Sequence, residues 1–266
     1  MKQSGLFQVC LAVGMAFGMM CRAQSPVPDE RGLWLAWVAS TNTPEDHAAV
    51  VTACKQFKIK APQDSLCVVV SGMEAWHLLK MGNTNAAVTL FESMVSIPEN
   101  ASPLQSVGAE MARGWLTRID REKVRFALKK IYLKKIEFPS SLDPIKALKM
   151  KPLPPLTDRW GTPWTYRLES SIKELSAQLY VLESSHLGSR SDLGKALALP
   201  YAGRVSLEPV KVSPVSADTV EFAIRGGKSG YLQAGGVMTG ITITYIGVNI
   251  IVMADDSHWR VVLKPR

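Results

Sequence analysis

The chain has 266 residues, of which 47% are hydrophobic and 20% are charged, and its formal net charge at pH 7 is +8. This composition is ordinary for a globular protein and is not that of a low-complexity chain. The moderate excess of positive charge favours contact with acidic surfaces but does not single out nucleic acid as a partner.

The N-terminus has the three parts of a secretory signal peptide. Lys2 supplies the positive charge, residues 6–20 are apolar and uncharged, and residues 21–23 end in Ala23 before Gln24. The apolar part is shorter than the roughly 20 residues that a membrane-spanning helix needs. We therefore expect residues 1–23 to be cleaved and the protein to be exported, periplasmic or associated with the cell envelope; the alternative is a retained anchor.

Two cysteines, Cys54 and Cys67, remain after removal of the predicted signal. An even pair in an exported protein favours a disulfide, and both residues lie near the facing ends of consecutive predicted helices. The alternative is a pair of buried free thiols.

Residues 24–42 have the composition of a tether, and helical patterns follow it. Cap residues and apolar spacing predict helices over 43–58, 65–81, 84–96 and 104–136. The second and third helices match one tetratricopeptide-type hairpin at Ala75, Gly82, Ala87, Phe91 and, displaced by about one position, Pro98. No second copy is visible in the sequence. We therefore expect a helical domain over 43–116 with a single hairpin of this kind.

The fourth predicted helix is strongly basic. Nine lysines and arginines lie between positions 113 and 135, and the helical period brings four of them to one face: Arg118, Arg121, Arg125 and Lys129. This face is either a solvated helix surface or a docking surface for anionic lipid or an acidic partner.

Short alternating segments replace the helical pattern after residue 152. They predict strands over 162–168 and 178–182 and a C-terminal β module over 201–266. In this module Ile241, Ile243 and Tyr245 alternate with Thr242 and Thr244, which we expect to face outward. The order of elements predicts an α+β protein with helices first and strands last.

The most specific motif lies between these regions. Its members are a carboxylate, three aromatic residues and two turn formers: Asp158, Trp160, Gly161, Pro163, Trp164 and Tyr166. The motif, with Tyr132 and residues 138–142 before it and 179–184 after it, resembles the C-terminal domain of the major pseudopilin of type II secretion (general secretion pathway protein G). The resemblance covers about residues 117–197. It implies a helix followed by an antiparallel sheet, in a pseudopilin-like domain over 117–200.

The chain also departs from that family. The filament-forming N-terminal helix of pseudopilins is missing, so ordinary polymerisation is not expected. The loop that holds calcium in the family corresponds to residues 184–192, where Asp192 is the only acidic residue. Since calcium takes six or more oxygen ligands, we expect no bound calcium.

A weaker resemblance links residues 205–266 to periplasmic β domains of secretion and pilus-assembly proteins, through Leu232, Gly235, Gly240 and Ile243 and the apolar stretch 250–253. In that group the domain binds the secretin channel or neighbouring assembly proteins. The two resemblances imply partners in secretion or pilus machinery, with an anionic membrane surface as a further candidate and no nucleic acid or small-molecule substrate.

Patterns typical of enzymes are weak. None of the four histidines has metal-type spacing, and phosphate-binding and dinucleotide motifs are missing. Ser184, Ser185 and His186 are adjacent, but neighbours in sequence rarely align as nucleophile and base. We expect no catalytic, cofactor or metal site. The alternatives to a non-catalytic secretion component are a periplasmic helical-repeat adaptor unrelated to secretion and an unrecognised hydrolase.

Overall fold

A computed structural model describes residues 46–96, 100–169, 178–198, 210–214, 216, 219–224, 229–238, 240–247, 250–255 and 258–263. The predicted signal peptide and tether lie outside these residues. The helices are α1 His47–Lys60, α2 Cys67–Lys80, α3 Thr84–Val95, α4 Pro103–Lys135 and α5 Leu193–Ala198, with short 3-10 turns at Asp143–Ala147 and Ser189–Ser191.

The strands are β1 Thr165–Glu169, β2 Leu179–Glu183, β3 Val210–Pro214, β4 Thr219–Ile224, β5 Ser229–Gln233, β6 Val237–Met238, β7 Ile241–Ile246, β8 Ile250–Ala254 and β9 Trp259–Leu263. All strand pairs are antiparallel, in three sheets: β1-β2, β3-β4-β5 and β6-β7-β8-β9. The protein therefore combines helices with antiparallel sheets, and the predicted α+β class is confirmed at this level.

Local signals explain where the helices begin. The side chain of Asp46 accepts a hydrogen bond from the backbone N–H of Ala49 at 2.9 Å, which caps α1. Ser102 and Gln105 form a capping box at the start of α4, and Pro103 occupies its first position. The four predicted helices are confirmed, with ends within a few residues of those expected. The predicted start of the first one, at 43–45, lies outside the described residues.

The predicted hairpin is formed by α2 and α3. Ala75, Ala87 and Phe91 are fully buried, and Gly82 has a φ of +77°, which lets the chain turn between the helices. The Phe91 ring stacks on Trp115 of α4, with centroids 6.1 Å apart. The hairpin thus buries its apolar side against α4. Pro98, the fifth motif position, lies outside the described residues.

The four-stranded sheet is buried on both faces. Ile250, Val252 and Ala254 of β8 join the core of the helices, whereas Ile251 and Met253 join a second core with Val220 of β4. The result is three layers: helices, the four-stranded sheet, and the β3-β4-β5 sheet. The C-terminal strands, which we expected to form a module of their own, therefore share a core with the N-terminal helices.

Trp259 connects these layers. Its side chain is fully buried against α2 and α4 at positions where both helices carry glycine. A Cβ atom at Gly72 would lie 2.6 Å from Trp259 Nε1, and one at Gly108 would lie 3.3 Å from its ring carbon Cζ2. The two glycines therefore leave the space that the indole occupies.

The second half of α4 forms a separate core with β1 and β2. Val124, Leu128 and Ile131 of α4 are buried with Trp164 and Leu182. α4 itself runs without interruption from one core to the other, so the predicted boundary at 116/117 falls inside a helix. Among the described residues no helix has the length and apolar character needed to cross a membrane.

One orientation in β7 differs from the prediction. Thr244 is buried, and its Oγ1 donates a hydrogen bond to the carbonyl of Val252 at 2.9 Å. The pairing of β7 with β8 shifts between Ile243 and Tyr245, and such an irregularity interrupts the alternation of the two faces. The expected outward orientation of Thr244 is therefore wrong.

Candidate functional site

The motif of residues 158–166 forms a tight turn at the entrance to β1. Gly161 has a φ of +82°, a conformation that favours glycine. The buried Asp158 carboxylate holds the turn, because its Oδ1 accepts hydrogen bonds from the backbone N–H groups of Trp160 at 3.0 Å and Thr162 at 2.9 Å. Pro163 lies at the outer side of the turn, exposed, and forms an isolated bridge with Thr157.

The other carboxylate oxygen of Asp158 joins the turn to the loop after β2. Its Oδ2 accepts a hydrogen bond from Ser184 Oγ at 2.7 Å and lies 3.2 Å from His186 Nδ1. Burial by itself would raise the pKa of Asp158, but the donors around it prevail and hold that pKa below its usual value. Asp158 is therefore held as a carboxylate at the centre of the motif.

Two motif aromatics anchor the turn from below. Trp164 is buried beneath the second half of α4, and its indole Nε1 donates a hydrogen bond to the carbonyl of Pro155 at 2.9 Å. The Tyr166 hydroxyl donates to the carbonyl of Pro139 at 2.6 Å. Burial, with a smaller effect of Tyr180, raises the pKa of Tyr166 to about 12. Both side chains stabilise the local structure.

Trp160 has a different role. Its ring is only half-buried and stacks on His186, with centroids 4.6 Å apart and planes 15° from parallel. Its Nε1 donates a hydrogen bond to Glu110 Oε2 of α4 at 2.8 Å. Trp164 and Tyr166 therefore pack with the second half of α4, whereas Trp160 forms a wall at the surface.

This wall borders a cleft of about 450 Å³ at the junction of α4, the motif turn, the loop after β2 and the four-stranded sheet. Its lining combines an aromatic wall, charged groups and an apolar floor, contributed by Glu110, Met111, Trp160, His186, Arg190 and Asp255 among others. Clefts where several parts of a chain meet are common binding sites. It is the best candidate for a functional site in the described structure.

The loop that forms one side of the cleft is held by two of the predicted docking residues. Arg118 is fully buried, and its Nε donates a hydrogen bond to the carbonyl of Arg190 at 2.9 Å. Burial, followed by repulsion from Arg190, lowers the pKa of Arg118 to about 10. Arg121 Nε donates to the carbonyl of Leu182 at 2.7 Å, and its Nη1 lies 3.3 Å from Asp192 Oδ2.

The four residues of the predicted docking face therefore do not form one exposed surface. Arg118 and Arg121 point into the protein because the loop after β2 covers that side of α4. Arg125 is exposed but pairs with Glu122 at 3.0 Å, and Lys129 is exposed. A helical period shows which residues share a face, but it does not show what packs on that face.

The two cysteines are free thiols, so the expected disulfide is not formed. Cys54 is fully buried in the helical core, and burial, with a smaller contribution from Glu74, raises the pKa of its thiol to about 12. Cys67 is half-buried, and its Sγ donates a hydrogen bond to the carbonyl of Ala61 at 3.1 Å. Both thiols are used in packing.

The pairing of Asp158 with His186 was missed at the sequence level. Only the adjacent Ser184 and Ser185 were candidate partners of His186 in the sequence, whereas the carboxylate that contacts its imidazole lies 28 positions earlier. The similarity of Asp158 to a motif aspartate was the available signal, but sequence spacing cannot show that two loops meet. Within the described ranges, no three histidine, cysteine, aspartate or glutamate side chains gather as a metal site would require.

The chemistry available at the cleft is that of the His186 imidazole, the charged side chains of Glu110, Arg190 and Asp255 and the Trp160 wall. Asp158 contacts Nδ1 of His186, and Trp160 fixes the plane of the same ring by stacking.

Comparison of the chain with protein-family models, with curated proteins and with solved structures gives no match.

Proposed function

We propose that this protein is a non-catalytic, exported component of a type II secretion or type IV pilus-like system and that it acts through protein–protein contacts. The observation that carries the proposal is the arrangement around residues 158–166. There a Trp-Gly turn attaches an antiparallel strand pair to the second half of a long helix, as a pseudopilin-like domain would require.

The use of the motif side chains favours binding over catalysis. Asp158, Trp164 and Tyr166 are occupied in holding the turn, which makes the surface next to them rigid. Trp160 and His186 present a stacked, half-exposed pair on that rigid support. Partly exposed aromatic side chains with fixed orientation are frequent anchors at protein–protein interfaces.

The location of the cleft supports the same conclusion. It is bordered by α4, by the motif turn and by β7 and β8, so a partner bound there would contact the helical, motif and C-terminal parts together. The features of residues 1–23 support export, which would place this surface on the outer side of the inner membrane.

The test is site-specific crosslinking in cells of the native host. A photo-reactive amino acid replaces Trp160, and in a control it replaces Ile59, a residue of α1 that is 79% exposed. We expect the first position to capture pilin-like, secretin or assembly proteins and the control to capture none of them. Recovery of unrelated exported proteins at both positions would instead support the helical-repeat adaptor. Recovery of no secretion or pilus component would contradict the proposal.

A hydrolase is the second candidate, and the Asp158–His186 contact is the observation that favours it. A carboxylate that accepts a proton from Nδ1 leaves Nε2 as the basic nitrogen, which is the orientation used in general-base catalysis. Esterase, glycosidase and peptidase activity should be assayed in the protein and in His186→Ala. Activity that is lost only in the variant would support this candidate over the binding function.

A further inference from the structure

The exposed side of the second half of α4 carries apolar side chains that nothing in the described structure covers. Phe126 is 53% exposed and Leu133 is 67% exposed. Because these positions are seven residues apart, they lie on the same face of the helix. The opposite face, with Val124, Leu128 and Ile131, is buried in the core, so this half of the helix has two apolar sides.

Lysines flank these two side chains on both sides. Lys129, Lys134 and Lys135 are exposed and form no ion pair with any residue in the described ranges, and Lys130 Nζ lies 4.7 Å from the centroid of the Phe126 ring. No acidic residue occurs between positions 123 and 136. The positive charge of this face is therefore not neutralised by neighbours along the helix.

Arginines on the same helix behave differently. Arg118, Arg121 and Arg125 each bind a protein carbonyl or carboxylate. Lys123 does the same, since its Nζ lies 2.7 Å from Asp120 Oδ1, whereas Lys129, Lys134 and Lys135 further along the helix are exposed. A guanidinium makes directed, bidentate contacts, while an ammonium on a flexible stem acts as a mobile point charge. The lysines in the C-terminal half of α4 are thus left for a diffuse external partner.

We propose that this lysine face, formed by Phe126, Lys129, Lys130, Leu133 and Lys134, docks on the surface of an anionic phospholipid membrane. Two exposed apolar side chains surrounded by lysines suit a surface with many negative charges and an apolar layer beneath them. Phe126 and Leu133 would enter the headgroup boundary while the lysine stems lie along the apolar layer. The inference goes beyond the proposed function, since it concerns what the helix rests on and not which protein occupies the cleft.

The test measures sedimentation of the purified mature chain, from Gln24 onward, with vesicles of phosphatidylcholine alone and of phosphatidylcholine mixed with phosphatidylglycerol. We expect binding only to the anionic vesicles, and weaker binding as salt is raised. Each lysine near an anionic surface changes affinity by about fivefold, so Lys129→Gln with Lys130→Gln should lose at least about tenfold. Phe126→Ser with Leu133→Ser should also weaken binding. The binding that remains should be more sensitive to salt, because it rests on the lysines alone.

The matched control lies on α1, where Lys55, Ile59 and Lys60 are all exposed. Lys55→Gln with Lys60→Gln removes the same charge, Ile59→Ser removes apolar surface, and every variant keeps the same N-terminus. An equal loss in the control would overturn the proposal, because net charge alone would then explain binding. Binding to polyglutamate without binding to anionic vesicles would also overturn it and would assign the face to an acidic protein.

Discussion

The Oδ2 atom of Asp158 accepts a hydrogen bond from Ser184 Oγ at 2.7 Å and so joins the motif turn to the loop after β2. The two residues are 26 positions apart, and the strand pair β1-β2 lies between them. This contact closes the strand pair at its open end. It also gives one side chain a role in both the turn and the wall of the cleft.

Asp158→Asn should therefore destabilise the protein by about 2–3 kcal/mol, since an amide cannot serve all the donors that now reach the carboxylate. Unfolding in urea near neutral pH measures this change. Ser185→Ala is the control, because Ser185 is exposed and makes only a long contact, of 3.5 Å, with His186. Equal stabilities of Asp158→Asn and the wild type would show that the network contributes nothing.

The same carboxylate should make stability depend on pH. The pKa of Asp158 is lower in the folded protein than its ordinary value of 3.8, so its contribution is complete above that value. It is lost as pH falls below about 4 and through the lower folded pKa. Asp158→Asn should remove this part of the acid sensitivity, which urea midpoints measured from pH 6 to pH 3 would reveal. An unchanged pH profile in the variant would contradict the assignment.

The two tryptophans of the motif should differ sharply. Trp164 is 6% exposed inside the second core, so Trp164→Ala should cost about 3–5 kcal/mol. Trp160 is half-buried, and its replacement by alanine removes mainly one hydrogen bond and one stacking contact. Trp160→Ala should therefore lower the free energy of unfolding by about 1 kcal/mol. Thermal or urea unfolding of both variants measures the difference. A larger loss for Trp160 would mean that the cleft wall carries the stability of the turn.

Gly72→Ala tests the contact between helix and sheet. Helix propensity alone predicts that alanine stabilises α2 by about 1 kcal/mol. The added methyl group would instead lie 2.6 Å from Trp259 Nε1, so we expect a net loss of about 1–3 kcal/mol. Adding Trp259→Phe should make room and render the double variant more stable than the sum of the two single changes predicts. Simple additivity would show that the two positions do not touch.

Arg121→Lys should release the loop at residues 184–192. Lysine keeps the charge but cannot reproduce the donation to Leu182 together with the contact to Asp192, so we expect faster proteolysis within the loop. Lys129→Arg, an exposed position, is the control.

Calcium should not raise the unfolding temperature of the wild type or of Arg121→Lys. A calcium-dependent increase in the wild type would contradict the expectation that this loop holds no calcium.

The thiols should label at different rates. In the folded protein Cys67 should react first, because it is half-buried, whereas burial raises the pKa of Cys54 to about 12 and blocks access to it. In denaturant without reductant both cysteines should react. Mass spectrometry of the labelled chain counts them. If neither cysteine is labelled until reductant is added, Cys54 and Cys67 form a disulfide and their description as free thiols is wrong.

The sequence predicted the elements well where the signals are local. Gly82 ends the second predicted helix as expected. Asp46 and Pro103, at which the structure begins α1 and α4, likewise act within a few residues of the chain. The strands predicted over 162–168 and 178–182 from alternation are β1 and β2. Such signals depend on the conformational preference of one residue and on side chains a few positions away, and both can be read from the sequence.

The predictions that failed concern what lies opposite a residue. The basic face of α4 was divided by a loop about 60 to 70 positions away in the chain, as the contacts of Arg118 and Arg121 show. The orientation of Thr244 depended on an irregular pairing between two strands. The contact of Asp158 with His186 needed two loops to meet. None of these relationships has a period or a spacing in the sequence.

The sequence by itself determined the four long helices, the first two strands and the motif that stabilises the central turn, because hydrogen bonding and burial within one element follow from residue order. Only the tertiary structure decided that the four-stranded sheet, which contains Trp259, lies between the helices and the β3-β4-β5 sheet. It also separated the cations of α4 that bind groups inside the protein, Arg118 and Arg121, from those that are exposed, such as Lys129 and Lys134. The reason is physical: a side chain's charge and shape are set by its type, but its surroundings are set by segments that the folded chain brings beside it.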